Sequence, residues 1–285
     1  MNTAKTVIDM KYANLHLHST YSDGVLEPNR LVFIGKSLGY RALALTDHET
    51  DGGVRSFMEA ARAEGIEAIS GTEFYGMHEG FNLHLTALDF DMGDPGIRAL
   101  ITERCEAHYD STKGRFKLGV ERGFIEGICW EDVERYNAPG SWYCAGSLVR
   151  AYNVLRIPVP EGLVANVFKS PEAQAFASKT PNAERVIKTV RGAGGVIALA
   201  HPYNRTHLIP SLVEMGLNGV EVSHPDNKEN TSYLAAEAAR TYNLYHCGGT
   251  DHTGPMSGMG GKHARPALHG LTEEEFYTLK ERKRG

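Results

Sequence analysis

Cysteine is scarce in this chain of 285 residues: there are four, at 105, 129, 144 and 247, and no CxxC spacing among them. That argues against a zinc knuckle or a disulfide frame and suits reduced thiols in the cytoplasm. Long apolar runs are missing too. The longest, such as residues 196–200, fall far short of a bilayer span, so no membrane association is expected. The first fourteen residues, MNTAKTVIDMKYAN, contain no apolar stretch of the kind that marks secretion. There is no basic surplus either. With a net charge of -5 and a pI of about 6.2, the chain lacks the footprint of a general nucleic-acid binder, and no stable nucleic-acid complex is expected. Internal repeats and low-complexity tracts are also absent. What remains is ordinary globular composition, 41% hydrophobic and 23% charged, with one unusual feature: 13 histidines, several close to acids.

Seven short apolar runs read as strands: residues 12–18, 42–46, 66–74, 81–90, 195–200, 219–223 and 245–248. Helical patterns at 27–38, 54–63, 183–190 and 233–240 separate several of them. Such alternation predicts an α/β protein with a parallel sheet or barrel. The stretch from 91 to 180 breaks the rhythm. It holds both tryptophans and three of the four cysteines, and no strand alternation. It reads as a mostly helical insertion covering one end of the barrel.

The chemistry-bearing residues fall in phase with these strands. His16 and His18 lie two apart, so a strand presents both imidazoles to one face and Leu17 to the other. Asp23 follows in a Ser-Asp-Gly turn. Two imidazoles and a carboxylate so close suit a first-row divalent ion, against the blander reading of an edge strand with incidental histidines. His48 ends the second run; Asp47 beside it reads as a partner fixing its tautomer or as a helix cap. Glu73 ends the third run, either a metal bridge or a surface carboxylate. His84, between two leucines, reads by itself as a structural histidine, and His78 as part of a surface loop at 76–80. His201, His224 and the pair Asp251-His252 follow the last three runs. Parallel α/β sheets collect functional side chains at strand C-termini, and incidental surface histidines would not keep that phase.

The ordered set HLHS, SDG, TDH, GTE, HLT, AHP and GTDH resembles the polymerase and histidinol phosphatase (PHP) superfamily, most of all its stand-alone metal-dependent phosphoesterases. The resemblance covers about residues 1–90 and 183–255. It implies a distorted (β/α)7 barrel over 1–90 and 181–285, with residues 91–180 as a helical insertion or cap domain. It also implies two to three divalent ions, Mn, Fe or Zn. His16 and His18 would hold one with Glu73 and Asp251. Glu73 would bridge to a second, bound also by His84 and His201. Asp23, His48 and His252 would hold a third. Family members end with Asp-x-His, whereas Asp251 and His252 are adjacent. Gly248 and Gly249 before them, and Gly254 after, allow the chain to leave the strand at Thr250 so that both side chains turn to the site.

The activity implied is hydrolysis of phosphate esters. Clustered ions would activate a bridging water, neutralise phosphoryl charge and orient the phosphorus for in-line attack. Asp251 sits at the centre of this chemistry, and His201 or His224 would give the leaving oxygen its proton. Arg150, Lys169 and His224 are the candidates to bind substrate phosphate, against solvated helix charge for the first two. The partner expected is a small phosphorylated molecule such as a nucleotide or sugar phosphate: a nucleotide mono- or bisphosphate, or a cyclic diester and then its monoester. The alternative is a 3'-5' exonuclease or oligonucleotide-trimming nuclease of the same superfamily.

Overall fold

The computed structural model describes residues 11–254 and 269–282. Residues 1–10, 255–268 and 283–285, grouped with the barrel above, lie outside the described part. Among the described residues, eight strands form two sheets. β1 (Ala13–Asn14), β2 (Ala42–Ala44) and β3 (Glu67–Ile69) make a parallel three-stranded sheet in that order. β4 (Gly71–His78), β5 (Phe81–Leu88), β6 (Val196–Leu199), β7 (Gly219–Ser223) and β8 (Tyr245–Gly248) make the second.

Two expectations are corrected here. The run 66–74 is two strands, because the chain crosses from one sheet to the other at Ser70, whose hydroxyl donates to the Phe90 carbonyl at 2.7 Å. The second sheet is also not all parallel: β5 runs against both β4 and β6. The cause is local. Glu79 and Gly80 both take positive φ, 46° and 80°, the backbone of a two-residue hairpin whose twist matches its strands. His78 is therefore paired in β4, not part of a loop, and its Nε2 lies 2.7 Å from Ser211 Oγ.

Backbone hydrogen bonds tie the sheets at two seams. Leu15 N donates to Gly248 O at 3.1 Å, Asp251 N to His16 O at 3.0 Å and His18 N to His252 O at 3.1 Å. At the other seam Glu49 N donates to Glu73 O at 2.9 Å and Glu73 N to Asp47 O at 3.1 Å. Residues 15–18 thus stay extended beyond the short β1, and the expected alternation holds. Leu15 and Leu17 enter apolar clusters, while His16 and His18 turn the other way.

Helices α1 (Pro28–Ser37) and α2 (Val54–Glu64) cover β2; α6 (Ala183–Gly192), α7 (Ile209–Glu214) and α8 (Glu229–Tyr242) cover the second sheet. Small and branched side chains from both sheets, among them Ala13, Ala44, Ile69, Leu88 and Ala198, pack on Leu271, Phe276 and Leu279 of the C-terminal segment and its helix Glu273–Lys280. Residues 91–180 hold α3 (Pro95–Glu121), α4 (Trp130–Arg135), α5 (Ala145–Leu155) and short irregular turns, with a small core of their own around Phe116, Trp130 and Tyr152. Among the described residues, no helix is long and apolar enough to cross a membrane.

Candidate metal centre

The end of the sheets away from Phe276 gathers the imidazoles. His16 and His18, projecting from one face of their extended segment, bring their Nε2 atoms within 3.1 Å of each other. Glu73, fully buried at the sheet seam, stands at the middle. Its Oε2 faces His16 Nε2 and His18 Nε2, both at 3.4 Å, and His48 Nδ1 at 3.1 Å. Its Oε1 faces His84 Nδ1 at 3.0 Å and His201 Nε2 at 3.1 Å. Asp251 Oδ1 lies 3.0 Å from His18 Nε2, and Asp23 Oδ1 lies 3.6 Å from His18 Nδ1. Donor atoms of His16, His18 and Asp251, of His18, Asp23 and His48, and of His48, Glu73 and His84 each converge within 4.8 Å.

The donors fit divalent cations. His48 Nδ1 and Glu73 Oε2 are buried and close, yet neither makes a hydrogen bond. A buried polar atom left so costs about 1–3 kcal/mol, a penalty that an ion among the donors removes. Burial pushes His48 down to about 4, so its ring offers a lone pair at neutral pH. Burial also opposes charge on His16, but Glu221, Glu73 and Asp251 outweigh it and raise the ring well above its ordinary value. Burial would raise Glu73, yet the facing His16, His84 and His48 hold it well below the usual carboxylate range. Positive charge is what this carboxylate field stabilises, whether carried by protons or by metal.

Two supports were not foreseen or only partly so. Glu221, fully buried in β7, accepts from His16 Nδ1 at 2.7 Å and, through its other oxygen, from the His201 backbone N–H at 2.7 Å. Its sequence signal was a single acid inside the apolar run GVEVS. Asp47 neither fixes the His48 ring nor caps a helix. It accepts from Ser19 N at 2.7 Å, Ser19 Oγ at 2.6 Å and Ser22 Oγ at 2.5 Å, holding the turn that carries Asp23.

The chain does leave β8 before Asp251, which takes φ 49°. Asn14 fixes the exit, donating to Thr250 Oγ1 at 2.9 Å and accepting from Thr250 N at 3.1 Å. Asp251 then turns to the site, but His252 is in none of the donor groups found among the described residues. His224 stands there instead, its Nε2 3.4 Å from Asp251 Oδ2. Its Nδ1 accepts from the Asp226 backbone N–H at 3.1 Å, which puts the ring proton of neutral His224 on Nε2.

A cleft of about 260 Å³ opens over the donors, lined by Asp23, His48, Glu73, Asn82, His84, His201, Tyr203, Arg205 and Asp251. Trp142 from the 91–180 segment packs on His48, ring centroids 4.8 Å apart. Neither Arg150 nor Lys169 lines this cleft. Arg150 donates to Asn137 Oδ1 at 2.5 Å and Gly24 O at 3.4 Å and lines a neighbouring cleft of about 320 Å³ that also reaches Asp23. Lys169 is exposed. Asn82, Tyr203 and Arg205 were missed, because they lie outside the strand ends on which the sequence reading concentrated.

A mixed α/β fold that gathers imidazoles and carboxylates at one end defines a metal-centre protein. Comparison with known proteins narrows the class. The PHP domain model matches residues 14–146. The chain is 31% identical over 260 residues to a 5'-3' exoribonuclease of Haemophilus influenzae, covering 85% of this chain and 89% of that protein. It is 28% identical over 252 residues to the phosphoribosyl 1,2-cyclic phosphate 1,2-diphosphodiesterase of Eggerthella lenta, covering 85% and 94%. A solved structure from Bifidobacterium adolescentis, described as a candidate metal-dependent phosphoesterase, superposes with a TM-score of 0.70 at 22% identity, covering 94% of each chain; that likeness speaks for the fold. The chain belongs to the PHP family.

Proposed function

We propose that this protein is a metal-dependent hydrolase of small organic phosphates, with nucleotide mono- and bisphosphates and cyclic phosphates as its first candidate substrates. It is an enzyme acting on phosphate ester bonds. The observation that carries the reading is Glu73, whose two oxygens face five imidazoles, a bridging geometry for two cations. The backbone bonds at both seams support treating the two sheets as one distorted (β/α)7 barrel, with residues 91–180 as its cap. Four free cysteines suit the cytoplasm.

Two to three divalent ions, Mn, Fe or Zn, would supply a water reactive near neutral pH and neutralise the phosphoryl group. His16, His18, Glu73 and Asp251 would hold one, Glu73, His84 and His201 a second, and Asp23 and His48 a third. His252, in none of the donor groups found among the described residues, is left out of that third set. Of His201 and His224, the candidates to protonate the leaving oxygen, His224 faces the cleft carboxylate Asp251 through Nε2; as a proton donor it would act as the imidazolium, with the Asp226 N–H contact at Nδ1 released. The leaving oxygen takes that proton as its bond to phosphorus breaks.

The test is metal analysis of the purified protein, then phosphate release from a library of mono- and diesters before and after chelation. Phosphate release that survives complete chelation would sink the metal reading. The Haemophilus relative supports a second reading, an oligonucleotide-trimming nuclease working from the 5' end. Shortening of oligoribonucleotides without release from any small ester would favour it.

A further inference from the structure

The cleft floor is built of imidazoles and carboxylates, and its lining contains one Lys or Arg among the described residues, Arg205. This guanidinium makes no ion pair with a described residue. It lies over the Phe81 ring, with Cζ 5.6 Å from the centroid. Phe81 is the first residue of β5, and the next, Asn82, lines the same cleft.

The turn that carries Arg205 is built on the donor strand itself. His201 and Tyr203 take φ of 25° and 47°, and Arg205 N donates back to Pro202 O at 2.6 Å. The Tyr203 hydroxyl donates to Asp226 Oδ2 at 3.1 Å and the Thr231 hydroxyl donates to Tyr203 O at 2.9 Å, so the turn is fastened to the chain beyond β7. Non-glycine residues keep such backbone angles only where their surroundings fix them. Arg205 is thus four residues from His201, on a fixed turn, with no ion pair to a described residue.

An arginine fork recognises phosphate oxygens bidentately, and an aromatic face holds the fork without using its N–H donors. The two cations offered by the sequence do not line this cleft: Arg150 donates to Asn137 and Gly24 and lines the neighbouring cleft, and Lys169 is exposed. We propose that Arg205, steadied on Phe81 and flanked by Asn82, is an anion subsite that takes phosphate oxygens of the substrate. The assignment rests on the phosphoesterase reading for its ligand, but its test does not depend on turnover.

Inorganic phosphate is titrated by calorimetry into the metal-loaded protein and into Arg205→Ala. The expected result is phosphate binding weakened about 10- to 100-fold with bound metal unchanged. Arg205→Lys, a point charge without the fork, should recover part of it. Phe81→Leu, which loosens the guanidinium without touching it, should give a smaller loss. KM values then locate the phosphate. A rise for monoesters and bisphosphates alike assigns Arg205 to the reacting phosphoryl group; a rise for bisphosphates alone assigns it to a second phosphate. Unchanged phosphate affinity and KM in both Arg205 variants would overturn the subsite even if wild type hydrolyses esters. Weakened phosphate binding in a protein that hydrolyses no ester would leave the subsite standing and defeat the phosphoesterase reading instead.

Discussion

Replacing Glu221 by glutamine changes one atom, and the structure says what that atom does. The carboxylate accepts two buried protons, one on each oxygen: from His16 Nδ1 and from the His201 backbone, both at 2.7 Å. Glutamine has a single acceptor. If its oxygen keeps the His201 N–H, its amide hydrogens face His16 Nδ1, which must then accept. The His16 proton moves to Nε2, the atom 3.1 Å from His18 Nε2, and the lone pair aimed at the centre is gone. The opposite flip sets the amide hydrogens against the His201 N–H. Losing an outer partner of a metal-ligating histidine typically weakens metal binding about 10- to 100-fold, or roughly 1.4–2.7 kcal/mol. The assay is metal content after equilibration against buffered free zinc or manganese, together with nitrogen NMR of the His16 ring to read its tautomer. Wild-type affinity in Glu221→Gln with the proton still on His16 Nδ1 would refute the reasoning.

Four further outcomes follow from the same structure. His224→Asn should keep the bound metal and lower kcat by about 10²- to 10⁴-fold, the usual worth of a positioned acid, whereas His252→Ala should lose no ion; metal analysis showing one ion fewer in His252→Ala would return that residue to the third set. Gly249→Ala places a Cβ 2.4 Å from His16 N and 2.6 Å from Asn14 Oδ1, so it should lower stability by about 1–3 kcal/mol in thermal melts and loosen Asp251; a wild-type melt would show that the seam yields. Glu275, far from the centre, is held down to about 2, first by its hydrogen bond with His246. A depressed acid stabilises the fold above its unfolded value near 4.5 and loses that contribution as the pH falls toward 2, so Glu275→Gln should cost about 1 kcal/mol at neutral pH and flatten the acid limb of the stability profile.

Much of this was readable in the sequence because strand periodicity is strict. The spacing of His16 and His18 predicted that they share a face. His201 and Asp251 follow strand ends as the motifs implied, whereas Glu73 lies inside β4 because the run 66–74 is split between two strands. The Gly-Gly before Asp251 announced the exit from β8. What was not legible depends on partners remote in sequence. Glu221 looked like one polar beat of an alternating strand until His16 and His201 were placed beside it. The β4–β5 hairpin hid because Glu79-Gly80 is a weaker turn signal than Asn-Gly, and its loss made the sheet read as parallel. Arg205 hid in a turn whose shape is set by Asp226 and Thr231, not by its own neighbours. Arg150 drew attention as a helix cation near the expected site, but no periodicity reveals that it donates to Asn137 and Gly24 and lines the neighbouring cleft.

The seam between residues 15–18 and 248–252 has a consequence for how the protein comes into being. Six of the donors, His16, His18, Asp23, His48, Glu73 and His84, are synthesised well before Asp251, which follows His84 by more than 160 residues. Until then His16 and His18 are open imidazoles on a segment whose edge facing residues 248–252 is unpaired, able to catch stray metal or pair with the wrong edge. The centre therefore closes last, as one of the longest loops the chain can form, and contacts of such separation fold slowly. Metal captured before that moment meets an incomplete site. A chain cut short before Asp251 would keep most of its helices and lose the carboxylate that closes the ring.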